Sequence, residues 1–375
     1  MTRRRLLALA VATAALLAAC SDSGSTPPPA TTAPPTALAQ ASAPATPAQP
    51  PTPAMPSQAP TPRATAAVTR IAIAYDQGGR GGGGFNDLAY AGALKAATEL
   101  GAELKEITAQ PSDTDADRVE RLRLLADAGY NPIICVGFTY AEPLAKVAPT
   151  YPGTWFGIVD DGTVSAPNVV GILFTEEQGS FLVGVVAALT SSTHDVGFIG
   201  AVPIPLIQKF EAGYTAGVKA ADPGATVRVS YLSQPPDYAG FNDPAKGGES
   251  ALGMFDAGAD VVFTAAGGSG VGAIQAAHDR GRWAIGVDAD EYRTSDPSVR
   301  SAVLTSMLKK ADVGTYTFVR NVATGTAAGG TDVFDLARGG VGYATSGGFV
   351  DAIMPRIDAF AAKIVSGDIV VPTVP

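Results

Sequence analysis

The sequence is poor in the residue types that build disulfide frameworks and metal centres. Its 375 residues include two cysteines and two histidines. Beyond Cys20, near the amino terminus, the chain holds one thiol, Cys135, which has no second cysteine with which to form an internal disulfide. His194 and His278 lie far apart in sequence and neither is near Cys135. The composition therefore suggests neither a histidine metal set nor a cysteine–histidine nucleophile.

The chain also lacks a surplus of positive charge. Lysine and arginine number 26 against 35 acidic residues, which gives a net charge of −9, and no basic stripe interrupts this balance. These features argue against a nucleic-acid partner. Apolar residues make up 46% of a chain long enough for two core-bearing domains. No segment beyond the first twenty residues reaches the length of a transmembrane helix.

The amino terminus has the pattern of an export signal. Three arginines at 3–5 precede an apolar stretch at 6–16, which is short for a membrane span. Leu17-Ala18-Ala19-Cys20 resembles the bacterial lipoprotein signal box, which implies removal of residues 1–19 and lipid attachment at Cys20. A plain secretory peptide that happens to carry a cysteine is the alternative. We expect a protein anchored by lipid to the extracytoplasmic face of the cell membrane.

The next segment, residues 20–66, is rich in proline, threonine and alanine. Repeated Pro-Pro and Thr-Pro steps disfavour helix and favour an extended, solvated chain. This segment has too few bulky apolar residues to bury a core, so we predict a disordered spacer between the anchor and the folded body.

From Thr69 onward, short β-branched runs alternate with helical patterns. This alternation predicts an α/β protein with parallel sheets and right-handed crossovers. One run of units ends near Thr175 and a second begins there, which suggests two similar lobes. Polar or glycine-rich residues follow several strands, at Asp76, Gly137, Asp160, Gly267 and Asp288. Two sheets that face each other by these edges would form a ligand-binding cleft between the lobes.

The stretch from Arg70 to Gly101 shows the pattern of one unit. Asp76 ends the first strand, and a carboxylate there suits a vicinal diol such as that of a ribose, although a loop-stabilising acid is an equal alternative. Six glycines surround one arginine between Gly78 and Gly84. The lysine and hydroxyl of a P-loop are missing, so we favour a cleft lip over a phosphate cradle.

Phe85 and Asn86 follow the glycines and begin a helix. Phe85 could stack on a flat base, or it could only pack against a neighbouring apolar residue at the start of the helix, as in a hydrophobic staple. Asn86 could match the donors and acceptors of a heterocycle or serve as a cap. The triplet Phe-Asn-Asp recurs at Phe241, again after a glycine and before a helix. Two aromatic rings, one from each lobe, could sandwich a planar ligand, but a repeated helix-entry motif would give the same pattern.

A second glycine motif supports a rival function. Gly268-x-Gly270-x-x-Ala273 follows a strand, and Asp288 ends the next one, as in a dinucleotide-binding fingerprint. The rival is an NAD-dependent oxidoreductase. The motif lies late in the chain, and an exported protein has no ready supply of nicotinamide cofactor. We therefore rank binding above redox chemistry and expect a protein that is not an enzyme and has no cofactor.

Two further sets of basic residues have simpler interpretations. Lys309 follows an apolar strand and is either a binding cation or a solvated lysine. Arg118, Arg121 and Arg123 are expected on a solvated helix face.

Several short motifs occur in a fixed order along the chain: Asp76-x-Gly78 with Phe85-Asn86-Asp87, Tyr151–Asp160, Glu177–Gly184, Val196–Gly200, Phe241–Gly247, Ala266–Gly270, Ile285–Asp290, Thr305–Lys309 and Ile364–Gly367. In this order they resemble the basic membrane protein family of lipoproteins, which contains bacterial purine nucleoside receptors. The resemblance covers about Thr69 to Thr373. It implies a type I periplasmic-binding-protein fold, with two Rossmann-like lobes joined by a three-crossover hinge. Lobe 1 would comprise residues 67–174 plus about 305–330, and lobe 2 residues 175–304 plus about 331–375.

The resemblance also implies a function and a set of binding residues. The protein would be the substrate-binding part of an ABC importer, a monomer that delivers a nucleoside, preferably a purine one, to a permease. Another small ligand, such as a sugar or an autoinducer, is the alternative. The implied roles are ribose binding by Asp76, Asp288 and Lys309 beside Gly268, a base sandwich of Phe85 and Phe241, and reading of the base edge by Asn86 and Asp160.

Overall fold

The computed structural model describes residues 67–110 and 112–375. The predicted signal peptide (1–19), the lipidation site Cys20 and the linker (20–66) lie outside these residues. Within the described part of the chain, no helix combines the length and the hydropathy needed to cross a bilayer.

The described residues form strands and helices in alternation. The strands are β1 (Arg70–Tyr75), β2 (Glu103–Ile107), β3 (Ile133–Val136), β4 (Phe156–Val159), β5 (Val169–Phe174), β6 (Asp195–Gly200), β7 (Thr226–Tyr231), β8 (Val261–Ala265), β9 (Trp283–Asp288), β10 (Val303–Lys309), β11 (Gly330–Phe334) and β12 (Val341–Tyr343). The helices are α1 (Phe85–Leu100), α2 (Asp115–Asp127), α3 (Ala141–Val147), α4 (Glu176–Thr190), α5 (Pro205–Ala221), α6 (Pro244–Asp256), α7 (Gly270–Arg280), α8 (Glu291–Thr294), α9 (Ala311–Thr324) and α10 (Met354–Ser366).

The strands build two six-stranded sheets. The first has the order β11-β5-β4-β3-β1-β2 and the second the order β12-β10-β9-β8-β6-β7. All pairings are parallel except that of β12 with β10. The central strands are buried along their length, as in β3 and β8, because helices cover both faces of a parallel sheet. The predicted α/β fold with two Rossmann-like lobes is confirmed.

The chain passes between the sheets three times: from β5 to α4, from β10 to α9 and from β11 to β12. Helix α9 packs on α1 in the first lobe. The expected boundaries, about 305 and 331, lie within β10, which ends in the second sheet at Lys309, and within β11, which ends in the first at Phe334. An apolar strand pattern does not by itself reveal the sheet to which the strand belongs.

Close packing of α4 on α5 fixes one side of the inter-lobe connection. A Cβ atom at Gly213 would overlap the main chain of Glu177, and one at Gly217 would overlap that of Phe181. Glycine at these two positions of α5 therefore allows the helix backbones to approach closely. The contact sets the position of Glu176, which begins α4 directly after the first passage between the sheets.

Candidate functional site

The carboxyl ends of strands from both sheets carry the acids and the lysine singled out above. Asp76 follows β1 and Asp160 follows β4 in the first lobe, while Asp288 ends β9 and Lys309 ends β10 in the second sheet. Lys309 Nζ donates a hydrogen bond to Asp160 Oδ2 at 2.6 Å and lies 4.9 Å from the ring centroid of Phe85. The strand ends of the two sheets therefore meet at one place.

Lys309 is the centre of a buried ionic network. Its side chain is 2% exposed, and besides Asp160 it lies 3.3 Å from Glu176 Oε1. The other oxygen of Glu176 accepts from Lys209 Nζ on α5, also at 3.3 Å. The network joins the end of β4, the end of β10 and the start of α4, so it spans two of the passages between the sheets. Glu176, which the sequence pattern did not single out, is a central member.

The charges in this network set the protonation of its members. Burial lowers the pKa of Lys309, but the carboxylates of Asp160, Glu176 and Asp288 raise it by a larger amount. The net pKa of Lys309 therefore lies above its ordinary value. Burial raises the pKa of Asp160, which the charge of Lys309 opposes. The second oxygen of Asp160, Oδ1, is buried without a hydrogen-bond partner among the described residues. The site thus holds a fixed cation and an acceptor that is still free.

Asp160 and Asp288 have the same unusual backbone. Their φ angles are +69° and +64°, in the left-handed region that non-glycine residues seldom adopt. Asp160 directly follows β4 and Asp288 ends β9, each at the cleft edge of its own sheet. Strained backbone of this kind concentrates at functional sites, where the surrounding structure holds it in place. The matched geometry in the two lobes marks these positions as a pair.

Asp288 has a half-buried carboxylate that accepts no hydrogen bond from the described residues. Burial raises its pKa, the charge of Lys309 lowers it, and the charge of Glu176 raises it. An acceptor that faces a lysine and has no donor of its own suits a ligand hydroxyl.

Asp76 is held by the loop that follows β3. Its Oδ2 accepts from the main-chain N and from the Oγ1 of Thr139, both at 3.1 Å. Gly137 has φ +106° and lies so close that a Cβ atom there would overlap the carboxylate. Burial raises the pKa of Asp76, the bonds from Thr139 and the charge of Arg118 lower it, and the net pKa is about 6. The carboxylate is therefore fixed in direction before any ligand arrives.

The aromatic residues form two separate contacts. Phe85 begins α1 and faces Lys309. Phe241 ends a 3-10 turn at 239–241 in the second lobe and lies 6.2 Å from Phe138 of the first lobe, between ring centroids. The Phe138 ring also meets Tyr238 edge-on at 5.4 Å. The structure therefore brings Phe138 to Phe241 across the lobes, and it shows no direct ring contact between Phe85 and Phe241 in the described residues.

The glycine-rich loop is bound by its own chain. The carboxylate of Asp87 accepts from the main-chain N of Gly81 and of Gly83, at 3.0 and 2.8 Å. The side-chain nitrogen of Asn86 donates to the carbonyls of Gln77 and Gly79. Amides that a phosphate cradle would offer are already occupied by a carboxylate. Asn86 is placed beneath the loop, with its amide nitrogen committed there.

Gly268 lies in a 3-10 turn, 267–269, that precedes α7. A Cβ atom on it would lie 2.8 Å from Asn242 Oδ1, and one on Gly272 would overlap the carbonyl of Pro244. The glycines of this segment thus allow α7 to pack against the start of α6. Gly267 and Gly268 are themselves exposed, so the structure does not close this turn to a ligand.

Of the arginines expected in solvent, Arg118 is buried and Arg121 is largely buried. Arg118 is 8% exposed, and its Nη2 lies 3.3 Å from the main-chain oxygen of Asp76, to which it donates. Arg121 pairs with Asp113 at 2.5 Å and donates to the hydroxyl of Tyr140. The expectation of a solvated face was wrong for both, because α2 packs these side chains against the end of β1 and the turn after β3. Nothing in the spacing of α2 distinguishes them from Arg123, which is exposed.

Two lobes with parallel sheets, three connecting passages and polar strand ends that face each other define a type I periplasmic-binding-protein fold. A family model for "ABC transporter substrate-binding protein PnrA-like" matches residues 69–374, so the chain belongs to the Bmp family, as the motifs predicted. Members of this family are substrate-binding proteins of ABC transporters, and the fold and the family of this chain are those of such a protein.

Individual relatives agree with this assignment. An uncharacterised lipoprotein of Pyrococcus horikoshii is 34% identical, over 73% of this chain and 68% of its own length. The ABC transporter nucleoside-binding protein BmpA of Lactococcus lactis is 30% identical, over 70% of this chain and 77% of its own. The crystal structure of an ABC transporter solute-binding protein from Aeropyrum pernix K1 superposes with a TM-score of 0.69 at 29% identity, covering 81% of this chain and 94% of the other.

Proposed function

We propose that this protein binds a nucleoside, preferably with a purine base, between its two lobes and delivers it to an ABC permease without chemical change. The observation that carries the proposal is the meeting of Asp160, Asp288 and Lys309 at facing strand ends beside an aromatic ring. We assign the sugar to the acids and Lys309, the ionic end of the cleft, and the base to the phenylalanines, its aromatic end. Phe85, whose ring centroid is 4.9 Å from Lys309 Nζ, borders both ends. The lobes would close around the ligand by rotation about the three passages.

The ionic end of the cleft suits a ribose. Asp288 offers an acceptor without a partner, Asp76 offers a carboxylate held in one direction, and Lys309 offers a buried ammonium group. Vicinal hydroxyls can donate to the acids and accept from the lysine. Hydrogen bonds that involve charged groups are stronger than those between neutral ones, so this end would supply orientation as well as affinity.

The aromatic end suits a base. Phe85 from the first lobe and Phe241 from the second would take its two faces, and Phe138 lies beside Phe241. Stacking on an aromatic ring contributes about 1–3 kcal/mol per base. Asn86 and Asp160 would meet the polar edge of the base, the former through its oxygen, since its nitrogen already serves the glycine loop.

The similarity to relatives supports the ligand class and the location. The Lactococcus lactis relative is named for nucleoside binding and the Pyrococcus horikoshii relative is named a lipoprotein. We propose that the present chain is exported, lipidated at Cys20 and held at the extracytoplasmic face of the membrane as a monomer. Replacement of Cys20 by serine should release the protein from the membrane fraction, and persistence in that fraction would contradict the anchor.

Calorimetry on the full-length protein tests the ligand. Adenosine, guanosine and inosine should bind, whereas ribose and free adenine should bind far more weakly because each leaves one end of the cleft empty. Folded protein that binds none of the nucleosides would refute the proposal, and a preference for ribose or another sugar would support the sugar-binding alternative. Binding of NAD in preference to nucleosides would support the oxidoreductase alternative.

A matched pair of variants tests the site itself. Asp288→Asn keeps the shape of the side chain but replaces one carboxylate oxygen, an acceptor, by an amide nitrogen, a donor. It should weaken nucleoside binding by about 10- to 150-fold, which corresponds to the free energy of one hydrogen bond to a charged group. Asp290→Asn is the control, since Asp290 is engaged by Ser346 and Arg293 in the second lobe. Equal losses for both variants would count against a specific role for Asp288.

A further inference from the structure

Arg118 is a buried arginine that the proposed binding site does not use. Its side chain is 9% exposed, and its guanidinium reaches a main-chain oxygen at the end of β1 and one carboxylate on its own helix. Nη2 lies 3.3 Å from the main-chain oxygen of Asp76, and Nη1 lies 3.3 Å from Oδ1 of Asp115 on its own helix. The third nitrogen, Nε, is buried without a partner among the described residues. An arginine so buried and so incompletely paired is costly unless its charge serves a neighbour.

We infer that Arg118 is a positioning residue for the ligand: its guanidinium holds the end of β1 and keeps the Asp76 carboxylate ionised, ready to accept a ligand hydroxyl. The inference rests on the proposed function, in which Asp76 contacts the sugar. Arg118 itself touches the main chain of Asp76 and acts on the ligand only through that residue.

The surroundings of Asp76 explain why it needs such a neighbour. Thr139, in the turn after β3, supplies two hydrogen bonds to the carboxylate but no charge. The other titratable groups that interact with Asp76 are Cys135 on β3 and Tyr140 in the same turn, and both are neutral, since burial raises the pKa of each. Arg118 is therefore the positive charge that acts on this carboxylate among the groups that face it.

The direction of the effect follows from the protonation equilibrium. Burial raises the pKa of Asp76 from its ordinary value of 3.8 to about 6, so folding favours the protonated form between these values. Removal of the Arg118 charge should raise the pKa of Asp76 further, so a smaller fraction of its carboxyl groups would be ionised at pH 7. If the ligand binds the ionised form, affinity falls about tenfold for each pH unit below the pKa.

The experiment measures nucleoside affinity from pH 5 to pH 8 in full-length protein, with adenosine, guanosine or inosine, whichever binds the wild type at pH 8. An opposite charge near a carboxyl lowers its pKa by about 1–3 units. Arg118→Gln should therefore lose about tenfold more affinity than the wild type on going from pH 8 to pH 5. Arg118→Lys, which keeps the charge, should retain a midpoint close to that of the wild type.

Arg121→Gln is the matched control because Arg121 is also largely buried on α2 but pairs with Asp113 and Tyr140. It should lower the melting temperature without moving the pH midpoint. An equal loss of affinity at every pH in Arg118→Gln, or an equal shift of the midpoint in Arg121→Gln, would overturn the inference. The ratio of the affinities at pH 5 and pH 8 is taken for each variant and divided by that of the wild type, which cancels the titration of acids common to both, such as Asp160.

A second test needs no buried substitution and covers the case in which Arg118→Gln does not fold. Asp115 is the exposed partner of Arg118. Asp115→Asn removes the negative charge that partly neutralises the guanidinium, so the positive charge acts more strongly on Asp76. The pH midpoint of nucleoside affinity should therefore fall. Glu120→Gln makes the same charge change at an exposed position of α2. Equal midpoints in these two variants would overturn the inference. Absence of nucleoside binding by the wild type at pH 8 would refute the proposed function instead.

Discussion

The same three residues, Phe-Asn-Asp, enter the cleft from both lobes, but they occupy different structural positions. In the first lobe, the triplet at 85–87 forms the first three residues of α1. In the second lobe, the triplet at 241–243 precedes α6, and its aspartate is the N-cap. The phenylalanines are therefore presented in different ways, one from within a helix and one from the end of a 3-10 turn.

The aspartates of the two triplets serve different neighbours. Asp87 reaches back to the amides of Gly81 and Gly83, and so holds a loop that precedes the helix. Asp243 reaches forward to the amide of Lys246 at 3.0 Å and caps its own helix. A capping acid is typical of a helix start, whereas an acid that accepts from two glycine amides of the preceding loop is not.

The difference shows that the role of a short motif depends on what precedes it. Six glycines before Phe85 leave main-chain amides that need a partner, and Asp87 provides one. Before Phe241 the chain is anchored by Ser269, which donates to the carbonyl of Gly240 and accepts from the amide of Asp243. We therefore expect the two triplets to contribute similarly to ligand binding and differently to the stability of the fold.

The largest expected effect is on affinity. If the two rings sandwich a base, Phe85→Ala and Phe241→Ala should each weaken nucleoside binding by about 5- to 150-fold, which corresponds to 1–3 kcal/mol. Calorimetry at constant pH gives both values, and the melting temperature of ligand-free protein shows whether either variant is damaged. A large loss for one phenylalanine and none for the other would reduce the sandwich to a single stacking face.

The next effect concerns the anchor of the second triplet. Ser269 is fully buried, and Ser269→Ala would leave the carbonyl of Gly240 and the amide of Asp243 without that hydroxyl. Unsatisfied buried groups cost about 1–3 kcal/mol, so the free energy of unfolding in urea should fall by that amount. Ser366→Ala, at an exposed position near the end of α10, is the control and should change it by less than about 0.5 kcal/mol. Similar values for the two variants would show that the anchor contributes little.

Much of this organisation could be predicted from the sequence, for identifiable reasons. Buried parallel strands are continuous apolar runs, so β3 and β8 stand out, and acids placed directly after strands point to the cleft edge. The fold and the family that the ordered motifs predicted are confirmed. The roles of Asp76, Asp288, Lys309 and the other proposed binding residues stay predictions.

The errors come from long-range contacts. Arg118 and Arg123 lie five residues apart on one polar helix, and only the packing of α2 against β1 buries the first and exposes the second. Glu176 has the pattern of a first-turn acid, yet its neighbours Lys309 and Lys209 come from distant segments. Local pattern cannot reveal such partners, which explains why the central acid of the ionic network and the arginine beneath Asp76 were missed.

The smallest expected effect separates the two aspartates. Asp243→Ala removes an N-cap and should lower the free energy of unfolding by about 1 kcal/mol. Asp87→Ala removes no cap from α1, whose N-terminus has no side-chain cap, so global stability should change less. Its effect should instead be local: the amides of Gly81 and Gly83 lose their acceptor and should exchange with deuterium faster, while those of the core strands are unchanged. Faster exchange at Gly81 and Gly83 in Asp243→Ala, or equal losses of stability in both variants, would show that Asp87 and Asp243 have the same structural role despite their different positions.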